Sequence, residues 1–139
     1  MTDSDTGLPA EGETVTFERT FTNGDVERFV EVSEDRGDHH LEPDTEGRLL
    51  VHGLLTATLP TKVGGRYDVL ASRMEFEFRR PVWTDETVRC AVTFTRVERE
   101  ERDGDTARTR VEAEFDCTRE GETVLAGRFE GVVRDPPPA

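Results

Sequence analysis

Apolar and polar residues alternate over much of the second half of the chain. Met74, Phe76 and Phe78 alternate with Arg73, Glu75 and Glu77. Val88, Cys90, Val92 and Phe94 alternate with Arg89, Ala91, Thr93 and Thr95. Val111, Ala113, Phe115 and Cys117 alternate with Arg110, Glu112, Glu114 and Asp116. A period of two marks strands with one buried face. Pro81 closes the first of these, and a last strand is predicted from about Thr123 to Arg134. An earlier strand spans Thr14 to Phe21, with Val15, Phe17 and Phe21 on one face. Two segments break the alternation. Val26, Phe29 and Val30 stand at helical spacing, with Thr22 or Asn23 as cap and Asp25 and Glu27 near the positive N-terminal end. That helix should fade near Ser33. A second short helix is predicted from about Val51 to Val63, apolar at Leu54, Leu55, Ala57, Leu59 and Val63, kinked at Pro60 and ended by Gly64-Gly65. Residues 33–48 between them are polar and irregular.

Asp103-Gly104 is a strong pair for a type I′ turn. With these two residues central, Phe94 faces Ala113, Val92 faces Phe115 and Cys90 faces Cys117. Each pair joins two core-facing residues, and the two thiols fall side by side. The order is strand, helix, irregular segment, helix, then four antiparallel strands. An α+β fold follows, with a curved antiparallel sheet wrapped around a central helix. Residues 14–134 form the single domain. Residues 1–13 read as a flexible acidic tail and residues 135–139 as a Pro-rich tail. One sheet on one helix leaves an edge open, so a homodimer is expected.

The charge narrows the class. Among 139 residues, 31 are acidic and 18 basic, a formal net charge of −13. Such a field repels a polyphosphate and argues against nucleic acid as partner. No apolar run approaches the roughly 18 residues of a membrane span. The acidic start, Met1 to Asp5, shows no secretory signal. Lys62 is the sole lysine. An acidic, lysine-poor surface suits a high-salt cytoplasm, where the charge is screened; an acidic protein of a GC-rich genome is the alternative. Two cysteines are too few for a disulfide framework, so a reducing cytoplasm and two packed core thiols are expected.

The candidate chemistry lies in four short stretches: Phe21-Thr22-Asn23-Gly24-Asp25-Val26-Glu27-Arg28-Phe29, Ser33-Glu34-Asp35-Arg36-Gly37-Asp38-His39-His40, Val51-His52-Gly53-Leu54-Leu55 and Phe78-Arg79-Arg80-Pro81-Val82-Trp83-Thr84-Asp85-Glu86. Their order resembles the MaoC-like, (R)-specific enoyl-CoA hydratase family of hotdog-fold proteins. The resemblance spans about residues 14 to 134. It implies a hydro-lyase that adds water reversibly to a trans-2-enoyl-CoA. Asp35 and His40 match the family's catalytic pair, which holds one water between a carboxylate and an imidazole, both able to exchange protons near neutral pH. Gly53 matches the glycine whose backbone N–H polarises the thioester carbonyl. Thr61 falls where some members carry a serine lining the acyl pocket. His52 precedes Gly53 and reads as a substrate-side or structural residue. The resemblance implies an acyl-CoA substrate and no cofactor.

Two departures stand out. Gly37-Asp38 replaces an Asn-Pro of the family motif, and only eleven residues separate His40 from His52. They leave open a hotdog acyl-CoA thioesterase or a non-catalytic acyl-thioester-binding protein. Taken alone, Asp35 would be a surface acid at a helix end, and His39 a solvent-facing neighbour. His39, His40, Asp38 and Asp44 meet no known metal-ligand spacing, so no metal is expected.

Overall fold

The computed structural model describes residues 7–101 and 107–134. Residues 1–6 and 135–139 of the expected tails fall outside this range, as does the Asp103-Gly104 turn. Residues 7–13, expected to be part of a flexible tail, instead lie against β3, with the Gly12 N–H donating to Phe94 O at 2.7 Å and the Phe94 N–H to Glu13 O at 2.9 Å. The elements are β1 (Thr14–Thr20), α1 (Asn23–Ser33), α2 (Asp38–Leu41), α3 (Gly53–Thr56), α4 (Thr58–Arg66), β2 (Leu70–Phe78), β3 (Thr87–Glu100), β4 (Arg108–Arg119) and β5 (Glu122–Arg134). One five-stranded antiparallel sheet has the order β1-β3-β4-β5-β2. Its inner face carries Val88, Cys90, Val92, Phe94, Val111, Phe115, Cys117, Leu125 and Phe129, all buried. Against that face lie Leu59 and Val63 of α4, with Val26 and Val30 of α1 completing the core.

The expected β3–β4 register holds where it matters: Cys90 pairs with Cys117, Val92 with Phe115 and Phe94 with Ala113. A slip of one residue there would turn the whole buried set to solvent. Between Phe94 and Arg96 the register shifts, so Arg96 pairs with Glu112 rather than following the pattern set below it.

Helix α1 also starts where its chemistry predicts. Thr22 is the cap: its hydroxyl accepts from the Asp25 N–H at 3.1 Å, and the Asp25 carboxylate accepts from the Thr22 N–H at 3.0 Å. That reciprocal pair is a capping box with aspartate in the usual glutamate position. Asn23 instead ties α1 to two distant segments. Its Nδ2 donates to Gly47 O at 3.0 Å, and its Oδ1 accepts from Thr84 Oγ1 at 2.6 Å.

The central helix differs from expectation. It is two pieces, α3 and α4, separated at Ala57 rather than kinked at Pro60. A proline ring strikes the carbonyl four residues back, here that of Thr56, so the disturbance falls one turn upstream. Pro60 itself sits in the first turn of α4, where a missing N–H costs little. The helix also runs through Gly64-Gly65 to Arg66 and stops before Asp68, which has φ 57°. Helix α2 lies in the stretch expected to be irregular; its four residues are too few to show a periodicity.

Candidate active site

Glu34 takes a left-handed conformation, φ 60°, and turns the chain out of α1. The next residue, Asp35, is held by its neighbours. Its N–H donates to Ser33 Oγ at 3.0 Å, and its Oδ1 accepts from Gly37 N–H at 3.2 Å. The other carboxylate oxygen faces His40, with Oδ2 to Nε2 at 3.8 Å. Asp35 is exposed and His40 is buried, so the pair bridges solvent and interior.

His40 reaches this place on the inner side of α2. Its Nδ1–H donates to the Leu50 carbonyl at 2.7 Å. That bond fixes the tautomer: in the neutral ring the free lone pair is on Nε2, toward Asp35. Leu50 is itself pinned, its N–H donating to His39 O and its backbone bridging to Trp83. Arg48 anchors the same segment through Asp44, at 3.1 Å, and lies over the Trp83 ring. The short 41–51 segment is thus the frame that sets the His40 tautomer. Burial lowers the His40 pKa most; the Leu50 carbonyl opposes this, and His52 and His39 add to it, against a smaller pull from Asp35. The net direction is downward, which favours the neutral, proton-accepting ring.

His52 is buried and does not line the cleft. Its Nε2–H donates to the Asp35 backbone carbonyl at 3.1 Å, and its ring stacks on His40 with centroids 3.6 Å apart and planes 12° off parallel. Its Nδ1 is buried without a partner. Asp35, His40 and His52 place one donor atom each within 4.8 Å of one another. His40 Nδ1 and His52 Nε2 are engaged by the Leu50 and Asp35 carbonyls, which leaves His40 Nε2 and the buried His52 Nδ1 as the imidazole nitrogens of this pair without a hydrogen-bonded carbonyl.

Gly53 opens α3 and lines a cleft of about 310 Å³ together with His39, His40, Thr56, Phe78 and Leu125. A Cβ on Gly53 would come 2.8 Å from the Phe78 ring, so only glycine lets that ring lie against the helix start. His40 and Gly53 therefore share this cleft, and Asp35 meets it through its contact with His40 rather than by lining it. Thr61 does not share it. Its hydroxyl donates to Thr58 O at 2.7 Å, and it borders a separate pocket of about 80 Å³ beside Gly64 and Met74. The hydroxyl side chain at the cleft belongs to Thr56, which is buried and went unrecognised in the sequence. Its signal is its spacing, three positions after Gly53 and on the same helical face. His39 is exposed as expected, yet it also lines the cleft and packs on His40 at 4.0 Å between centroids. Cys90 and Cys117 are free, buried thiols; a hydrogen bond to Cys90 and burial push the Cys117 thiol upward, away from reactivity.

No family model matches the sequence, and no curated protein matches it. Solved structures do. An (R)-hydratase from A. caviae involved in PHA biosynthesis superposes with TM-score 0.71 at 20% identity, covering 88% of this chain and 95% of that one. A MaoC-like dehydratase from Rhodospirillum rubrum gives TM-score 0.70 at 16% identity, covering 94% of this chain and 96% of the other. A hypothetical thioesterase with coenzyme A from Streptococcus pneumoniae gives 0.59 at 13% identity, covering 93% and 85%. At these identities the likeness is one of architecture. The chain has the hotdog fold seen in (R)-hydratases and MaoC-like dehydratases.

Proposed function

We propose that the cleft hydrates a trans-2-enoyl thioester, reversibly, to a 3-hydroxyacyl thioester. The observation that carries this reading is the 3.8 Å gap between Asp35 Oδ2 and the lone-pair nitrogen of His40, beside a cleft that Gly53 also lines. Two acceptors at that separation can share one water, each about 2.8 Å from its oxygen. As that oxygen bonds to the substrate β-carbon, one water proton passes to the Asp35–His40 pair. The alkene electrons move to the thioester oxygen, where the Gly53 N–H, with no intrahelical acceptor in the first turn, donates to the growing enolate charge. A proton from the pair then goes to the α-carbon, so the elements of water are added and nothing else is consumed. The reaction needs no cofactor; the acyl-CoA, or another carrier thioester, is the substrate. The working unit is a homodimer joined along a sheet edge, since β1 and β2 each stand at an edge of the sheet.

The test is crotonyl-CoA in molar KCl, followed by enoyl absorbance with free thiol measured alongside. Loss of absorbance without thiol is the expected result. Thiol release would assign a thioesterase instead, and neither signal would leave only acyl-thioester binding.

A further inference from the structure

We propose that His39 is a positioning residue for this chemistry: as the outer ring of a three-imidazole cluster, tilted against His40, it keeps His40 in its proton-accepting form. The inference rests on the hydratase reading and goes beyond it. The cluster joins one tilted contact to one stacked pair. His39 packs on His40 at 4.0 Å between centroids with planes at 59°, and His40 packs on His52 at 3.6 Å. Phe29 closes the inner end edge-on to His52, at 4.8 Å. Gly37 makes the outer end possible, because a Cβ there would lie 2.8 Å from His39 Cε1. The glycine that departs from the family motif thus clears the space into which the extra histidine folds.

The groups around His40 are few. Asp35 faces Nε2 from the loop after α1, the Leu50 carbonyl holds Nδ1, and His52 covers the inner ring face. His39 is its neighbour on α2, and the sheet side of the cleft offers only the apolar Phe78, Val124 and Leu125. Asp35 is the carboxylate that faces Nε2, Asp38 stands two residues before His40 on α2, and two imidazoles lie against the ring. Burial penalises charge on His40, and His39 beside it is exposed. A positive charge on His39 lies against the His40 ring and resists a proton there.

The chain has three histidines, so single replacements assign every imidazole signal in an NMR titration. The His40 midpoint should move to higher pH in both His39→Gln and His39→Phe, and the acid limb of kcat/KM for crotonyl-CoA should move with it. The shift between wild type and variants should shrink in molar KCl, because the interaction is between charges near solvent. A midpoint unmoved in both variants overturns the proposal. So does a shift in His39→Gln that the Phe ring restores, since that outcome assigns packing and not charge. If wild type does not hydrate crotonyl-CoA, the hydratase reading falls, while the NMR midpoints still judge the role of His39 in the cluster.

Discussion

Asp35 and His40 hold one water between them in the proposed reaction, so their losses should not add. Asp35→Asn keeps the shape and removes the proton acceptor; His40→Gln keeps a hydrogen bond to Leu50 but cannot shuttle a proton. Each should lower turnover about 10²–10⁴-fold, and the double variant should cost little more than the worse single, as measured by steady-state kinetics. His40 also carries a stability signature. Its folded pKa is lowered from the ordinary 6.5, chiefly by burial. The unfolded chain therefore binds that proton more readily, and the stability given up appears as pH falls from about 6.5 toward the lower folded value. Urea melts across that window should show wild type losing stability on acidification by more than His40→Gln does. At this scale the sequence was legible where a residue acts on its neighbours in the chain, as Thr22 does on Asp25. The contact of His52 with Asp35, seventeen residues away, depends on His52 packing against Phe29 of α1 and leaves no local mark.

Strand and helix identity was legible for a related reason: a half-buried element must repeat its apolar residues with its own period, and β3 and β4 do so without interruption through Phe94 and Ala113. The position of the central break was less so, because Pro60 acts on a carbonyl a full turn away. Packing between elements sets a further demand at Gly127. A side chain there would enter the Glu75 backbone of β2 and come 2.9 Å from Phe115 Cζ. Neither a backbone carbonyl in a ladder nor a core ring can step aside cheaply. Gly127→Ala should destabilise the protein by about 1–3 kcal/mol, read from urea unfolding, and should loosen β2 first in hydrogen exchange. A melt indistinguishable from wild type would mean that β2 lies farther from β5 than described.

The whole molecule sets acidic excess against an arginine lattice. On the outer face of the sheet, Arg128 meets Glu75, Glu112 and Glu130, and Arg96 meets Glu98 and Glu112, linking β2, β5, β4 and β3. Salt weakens such pairs, but exposed pairs are worth only about 0–1 kcal/mol each. It also relieves the mutual repulsion behind a net charge of −13, with a Debye length falling from about 30 Å at 0.01 M to about 3 Å at 1 M. The second effect acts on every unpaired carboxylate, so Tm should rise between dilute buffer and molar KCl; a flat Tm removes the high-salt reading. Light scattering in the same buffer should give a dimer mass, and a monomer would remove the edge-joined assembly. The paired thiols at the middle of the sheet have a practical corollary. Cys90 and Cys117 are the only cysteines and are both fully buried on neighbouring central strands. An alkylating reagent meets them only when β3 and β4 part. Its labelling rate therefore reports how often the sheet opens under native conditions, at any salt concentration, with a probe the chain already contains.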